Sequence, residues 1–264
     1  VPKVLTATAS ASNKTYDGST TAATTLTFTG LIGSETLGQT VGSTFDNKNV
    51  GSNKTVTVNS ITLADGSGLA ANYSISAGQT TTANITAKSL TVSGITASIK
   101  TYDGNRVATL DASSVAYSGL VSGDTFNGSY TGAFSDKNVD SGKTVTITSS
   151  YTGADVGNYS VTDQSTTTAN ITAKALTVSG ITSSSKTYDA TTSASLNTGS
   201  VSYGGLVFGD NLTGTYSGVF NNANVGSGKT VTITSSYSGA DVNNYTITDQ
   251  SSTTADIAAK ALTA

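Results

Sequence analysis

A lysine, a tyrosine and an aspartate fall within four residues three times: Lys14, Tyr16 and Asp17; Lys100, Tyr102 and Asp103; and Lys186, Tyr188 and Asp189. An amine, a phenol and a carboxylate at this spacing could exchange protons or hold a ligand. A lysine beside a carboxylate could also attack an asparagine amide and close an isopeptide cross-link. In the second copy the groups for such a bond are Lys100, Asn138 or Asn170, and Asp103. A buried, unpaired lysine is costly, so such a lysine must be bonded, paired or exposed. The competing reading is structural: the aspartate caps a turn and the tyrosine packs on its domain. Recurrence in every copy favours the structural reading.

Other chemistry is narrowed by what is missing. The chain has no His, Cys, Met or Trp. Ser-His-Asp and Cys-His nucleophile systems, zinc fingers and the usual haem and iron–sulfur ligands are therefore excluded. An enzyme would have to work with carboxylates alone, and no carboxylate pair recurs in all copies, so no catalytic residue and no enzyme activity are expected. Calcium is the one cofactor to weigh, but no Asp-x-Asp-x-Asp spacing occurs, and Asp136 and Asp140 flank Lys137. Calcium prefers several carboxylates among six to eight oxygens, so solvated loop acids are the simpler reading and no metal site is expected. A net charge of −3 and a pI near 4.7 argue against nucleic acid, which needs clustered Lys and Arg. No apolar run is long enough for a membrane-spanning helix, and any export signal is expected to lie outside these residues.

Two further sets of tyrosines stand out. Tyr73, Tyr159 and Tyr245 each follow an asparagine and open an alternating stretch, which predicts buried strand positions. Asp155 and Tyr159, and Asp241 and Tyr245, fit the Asp-x-x-x-Tyr spacing of a tyrosine corner, whereas Asp65 stands eight residues ahead of Tyr73. Tyr130, Tyr151, Tyr216 and Tyr237, with Tyr117, are the rings that could stack on a glycan, but the first copy lacks matching tyrosines.

These residues need elements to position them, and the elements repeat. The Lys-Thr-Tyr-Asp motifs are 86 residues apart, as are Ile85, Ile171 and Ile257. The Lys-Thr-Val-Thr runs at Lys54, Lys143 and Lys229 are 89 and then 86 apart, so the first copy lacks three residues before Lys54 and regains three around Ala64–Gly68. Both places are expected to be loops. A period of 86 is long for a solenoid coil and long enough for a small domain. Ser and Thr make up about a third of the chain, and charged residues only 11%. Val, Ile, Leu and Tyr alternate with Thr and Ser, which reads as strands. The expectation is all-β: three tandem small β-sandwich, immunoglobulin-like domains over residues 1–87, 88–173 and 174–264, the last including the start of a fourth. The junction Ala83–Val92 holds neither Gly nor Pro. It should be stiff, and the domains are expected to form an extended rod.

The set of motifs resembles a known family. Lys-Thr-Tyr-Asp-Gly, Asp136–Val139 with Gly142–Thr146, Gly157–Tyr159 and Thr167–Thr177 are similar to the YDG repeat of very large bacterial secreted and surface proteins, including filamentous-haemagglutinin-like adhesins. The likeness covers essentially the whole chain. The third copy departs from it with Asp189-Ala190, so a left-handed glycine is not expected to be required there. The resemblance implies an extracellular module at the bacterial surface, used in tandem in cell adhesion or biofilm, with a β-grasp-like domain as the alternative fold. Two functions follow as expectations: a stalk that projects a binding region, or a module that binds host or matrix glycans through its loop tyrosines. The expected partners are neighbouring repeats of the same monomeric chain.

Overall fold

The structure is a computed structural model and describes residues 1–263. It is all-β, with three tandem β domains. Among the described residues the helical turns are short 3-10 turns at Ala70–Asn72, Val156–Asn158 and Val242–Asn244, each delivering the chain into a tyrosine strand. The contacts divide the chain into two compact units. One comprises residues 1–95, 112–130 and 148–164, the other residues 96–111, 131–147 and 165–264. The sequence period and the packed unit are therefore out of phase, because the second copy is shared between the two.

The third domain lies whole in the second unit. Its five-stranded sheet runs in the order Lys186–Thr187, Ser252–Ala258, Gly226–Ser238, Thr213–Phe220, Ser193–Ala194. The first pair is parallel, with Lys186 opposite Ile257, and the other pairs are antiparallel. A three-stranded sheet sets Lys174–Ser179 between Ser202–Gly204 and Tyr245–Thr248, parallel to the latter. Alternation explains the elements. Val231 and Ile233 point inward from Gly226–Ser238 while the intervening threonines face out. Thr and β-branched apolar residues suit such a pleat.

Phe220, Val231, Ala255 and Ile257 form one core beneath the five-stranded sheet. A second core of this unit crosses the copy boundary. Tyr102, Phe134, Val145 and Ile171 of the second copy pack in one cluster with Leu176, Val178, Ile181, Leu212, Ile233 and Tyr245 of the third.

The first domain, in the first unit, shows what the three-residue indels do. In the second copy the turn Ala112–Val115 separates the short strands Leu110–Asp111 and Ala116–Ser118. The first copy lacks that turn, and a single strand, Thr24–Thr29, pairs without a break along Thr6–Ala11. Gly94 belongs to the turn: its φ is +87°, and a Cβ there would lie 2.2 Å from Ser114 O. Where the turn is absent, Thr8 takes the place of Gly94 inside a regular strand. The compensating insertion extends Gly51–Asp65 to 15 residues, so it lengthens a strand as well as the bend at Gly66–Gly68.

Candidate functional site: the junction between domains

The recurring Lys-Thr-Tyr-Asp motif is first a turn. The ammonium groups of Lys14, Lys100 and Lys186 lie 2.7, 2.7 and 2.8 Å from Asp17, Asp103 and Asp189. Each also donates to backbone carbonyls of the following loop, such as Ser19 O at 2.8 Å and Thr191 O at 2.8 Å. The aspartates accept the N–H groups of Ser19, Asn105 and Thr191 two residues on, which is the hydrogen-bonded turn that Asp favours. The next residue is left-handed in every copy: Gly18 and Gly104 have φ of +80° and +81°, and Ala190 has +62°. Ala190 thus takes the same conformation at an expense of about 1–2 kcal/mol, and the turn survives without glycine.

The isopeptide geometry is not present at Lys100. Its ammonium is held by Asp103, Asn105 and Val107 O. Asn138 instead accepts from Asn244 at 3.2 Å, and Asn170 from the Gly142 N–H at 2.7 Å. That second contact pins a β-bulge between Asp140 and Lys143, a structural use of an asparagine that also sits in an Asn-x-Thr sequence.

The tyrosine of the motif faces the next copy. Within the first unit Tyr16 is 1% exposed. Its hydroxyl donates to Asp124 Oδ2 at 2.8 Å. Tyr159 donates to the same oxygen and accepts the Val121 N–H at 2.9 Å. The Tyr16 and Tyr159 rings meet edge to face, 5.5 Å apart at 78°. Lys48 Nζ lies 2.9 Å from Asp124 Oδ1, 2.7 Å from Asp155 Oδ1 and 5.8 Å from the Tyr16 ring centre. Val50 N–H donates to Asn158 Oδ1 at 2.9 Å, and Asn158 Nδ2 reaches back to Asn49. Glycine at position 18 also makes room, since a Cβ there would stand 2.8 Å from Val121 Cγ1.

Within the second unit the arrangement recurs one period on. Tyr102 donates to Asp210 at 2.8 Å, and Tyr245 donates to the same carboxylate and accepts from Val207 N–H at 2.9 Å. Lys137 Nζ lies 3.1 Å from Asp210 and 2.7 Å from Asp241. Val139 N–H donates to Asn244 at 2.9 Å, and the Tyr102 and Tyr245 rings again stand 5.5 Å apart at 78°.

The electrostatics follow from this crowding. Burial pushes the Asp124 carboxyl up, but hydrogen bonds from Tyr159, Lys48 and Tyr16 outweigh it and leave the group below the usual range. Asp155 is held low chiefly by Lys48, and Lys48 is raised by Asp155 first and Asp124 second. Burial, then Asp124, pushes the Tyr159 phenol up to about 12.

Tyr73, Tyr159 and Tyr245 are all buried. The corner reading of their hydroxyls needs correction. They bond Ile32, Val121 and Val207 N–H on a loop far upstream, and Glu35, Asp124 and Asp210 on that same loop. The loop is fastened to the tyrosine strand, rather than a strand to its own preceding corner. Tyr130 and Tyr216 are half-buried, and their hydroxyls pair with Tyr117 and Tyr203 at 2.9 Å. Tyr151 and Tyr237 donate to Asp163 and Asp249 and meet Tyr130 and Tyr216 edge-on. Sequence reasoning missed Lys48 and Lys137 as the cations of the junction, and Asp124 and Asp210 as its hubs. Lys137 stood inside the Asp136–Val139 motif already noticed, but nothing in one copy says that its partners belong to the next.

A family model described as the YDG domain matches residues 1–83, 86–169 and 172–255. No curated protein matches the chain, and no solved structure does.

Proposed function

The chain belongs to the YDG domain family, with three copies in tandem, and we propose that it is a stalk or spacer segment of a bacterial surface or secreted adhesin, holding a binding region away from the cell. The observation that carries this reading is where the family's recurring residues are spent. Tyr16, Lys48 and Val50 are all engaged by the following copy, as are Tyr102, Lys137 and Val139. A motif committed to docking its neighbour serves order along an array. The glycan-binding alternative draws less support, since Tyr130, Tyr151, Tyr216 and Tyr237 have their hydroxyls engaged and their rings packed edge to face, whereas sugars stack on open ring faces. No catalytic step, cofactor or nucleic-acid contact enters the proposal.

Small-angle scattering extrapolated to zero concentration tests it. Domains about 35–45 Å long, set in line, give a radius of gyration of about 30–38 Å; one compact globule of this length gives about 18 Å. A globule-like value for the unmodified chain would overturn the stalk.

A further inference from the structure

The parallel pairings of the fold share one arrangement. In the third domain the entering segment, residues 174–187, lies beside the leaving segment, residues 245–258. Lys174 stands opposite Tyr245 and Thr177 opposite Thr248 in one sheet, and Lys186 stands opposite Ile257 in the next. The Tyr188 N–H extends that second stretch by donating to Ala258 O at 2.9 Å. Between the two stretches the segments change sheets, and the backbone ladder is interrupted. Gln250 fills the gap with its side chain. Its Oε1 accepts the Ile181 N–H at 2.9 Å, and its Nε2 donates to Ile181 O at 2.6 Å. The amide thus supplies both groups that a neighbouring strand would offer. Within the first unit Lys88 stands opposite Tyr159 and Thr91 opposite Thr162 in the same way, and Gln164 bridges Ile95 at 2.9 and 2.6 Å.

This geometry decides how tension acts. The chain enters a domain at the start of one segment and leaves it at the end of the other. Because the segments run parallel, those two points lie at opposite ends of the pair. A pull on the chain therefore slides the segments along each other, and the ladder bonds and the Gln250 amide are loaded together. A pull on the same end of both segments would open them one pair at a time. The core opposes sliding as well. A slip of one residue turns every side chain to the other face, and Leu176, Val178, Ile181 and Ile257 are all buried.

The first domain keeps the arrangement but lacks the bridge. Lys3 stands opposite Tyr73 and Lys14 opposite Ile85, yet Gly78 occupies the place of Gln164 and Gln250. The two segments there border an open groove lined by Leu5, Thr6, Ser76 and Gly78. We propose that the repeats carry tension along the chain, that the paired entering and leaving segments are the mechanical lock of each domain, and that the lock is stronger in the domains with Gln164 and Gln250 than in the first. The inference rests on the stalk reading for the source of the tension and on strand geometry alone for the resistance to it.

Single-molecule force spectroscopy on the intact chain tests it. The chain has no cysteine, so introduced pairs define the pulling points. Ala175→Cys with Ala259→Cys pulls the third domain across opposite ends of the lock, whereas Ala175→Cys with Asn243→Cys pulls it from one end. All three positions are exposed. Forced unfolding is governed by the barrier to unfolding, and here that barrier depends on direction. At one pulling speed the first pair should need a severalfold higher force than the second. Gln250→Ala should lower the force for the first pair and leave that for the second, which opens before the amide is loaded. Val4→Cys with Ala87→Cys, the corresponding points of the first domain, should yield below the third. Equal forces in the two directions overturn the proposal. So does an opposite-end force unmoved by Gln250→Ala, or a first domain as resistant as the third. Circular dichroism checks that each variant keeps its fold, and a general loss of stability would not create a difference between directions. A rod weak under tension would still scatter as a rod, so the two readings fail separately.

Discussion

Asp124 gathers the hydroxyls of Tyr16 and Tyr159 and the ammonium of Lys48 onto one carboxylate that is 3% exposed. This makes the junction sensitive at both ends of the pH scale. Asp124 and Asp155 titrate below their ordinary 3.8 in the folded chain. Groups with depressed values contribute stability that is fully present above the unfolded value and lost as the pH falls through the folded one. Tyr159 and Tyr245 move the other way, from 10.0 to about 12. Their contribution is complete below pH 10 and is lost as the pH rises toward 12. Thermal melts followed by circular dichroism should therefore hold between about pH 4 and 10 and fall on either side; a midpoint unchanged from pH 5 to 2 would contradict the role given to the carboxylates. Tyr102→Phe removes one donor from Asp210 and keeps the ring, and should destabilise by about 1–3 kcal/mol. Tyr102→Ala also empties a buried site and should lose about 3–5 kcal/mol. A Tyr102→Phe variant as stable as the wild type in denaturant titrations would show that the hydroxyl contributes nothing.

At the scale of elements, the turn at Ala112–Val115 and Gly94 depend on each other. Gly94→Thr alone should destabilise by about 2 kcal/mol or more, since its Cβ would overlap Ser114 O in a left-handed backbone. Deleting residues 112–114 together with Gly94→Thr should recover most of that loss, because it recreates the unbroken pairing of Thr6–Ala11 with Thr24–Thr29. Chemical denaturation of the two variants checks this, and a double change no better than the single one would show that the first copy relies on something else. The alternation of Val145 and Ile147, the buried tyrosines and the all-β class were legible because each is a local pattern of period two. The parallel pairing of Lys88–Ser93 with Tyr159–Thr162 was not, since its partners lie about 70 residues apart with no turn to announce them. The ion pairs of the junction were hidden for a different reason. In a chain of period 86, Lys48 could face Asp155 or an acid of its own copy with the same local spacing, and only packing decides. The aromatic character of Tyr130 and Tyr151 was plain, but their mutual covering needs three strands to be placed at once.

At the scale of the whole molecule, a core that spans the second and third copies ties the stability of each domain to its neighbour. Repeat arrays of this kind gain from nearest-neighbour terms as well as from each unit. Lys137→Met would leave Asp210 and Asp241 facing each other without their shared cation. Calorimetry should then show the third domain melting separately, ahead of the rest; a transition as sharp as that of the wild type would argue that apolar packing alone couples the copies.

The offset between packing and period reaches back to the gene. Excising residues 88–173 brings Tyr16 and Lys48 to the positions of Tyr102 and Lys137, against Asp210 and Asp241, and so rebuilds a complete junction. The same holds for other cuts between equivalent positions that remove one whole period and keep Gly94 together with the turn at Ala112–Val115. Unequal recombination can therefore lengthen or shorten such a protein in steps of one copy without disturbing a contact, whereas any other step would split a core.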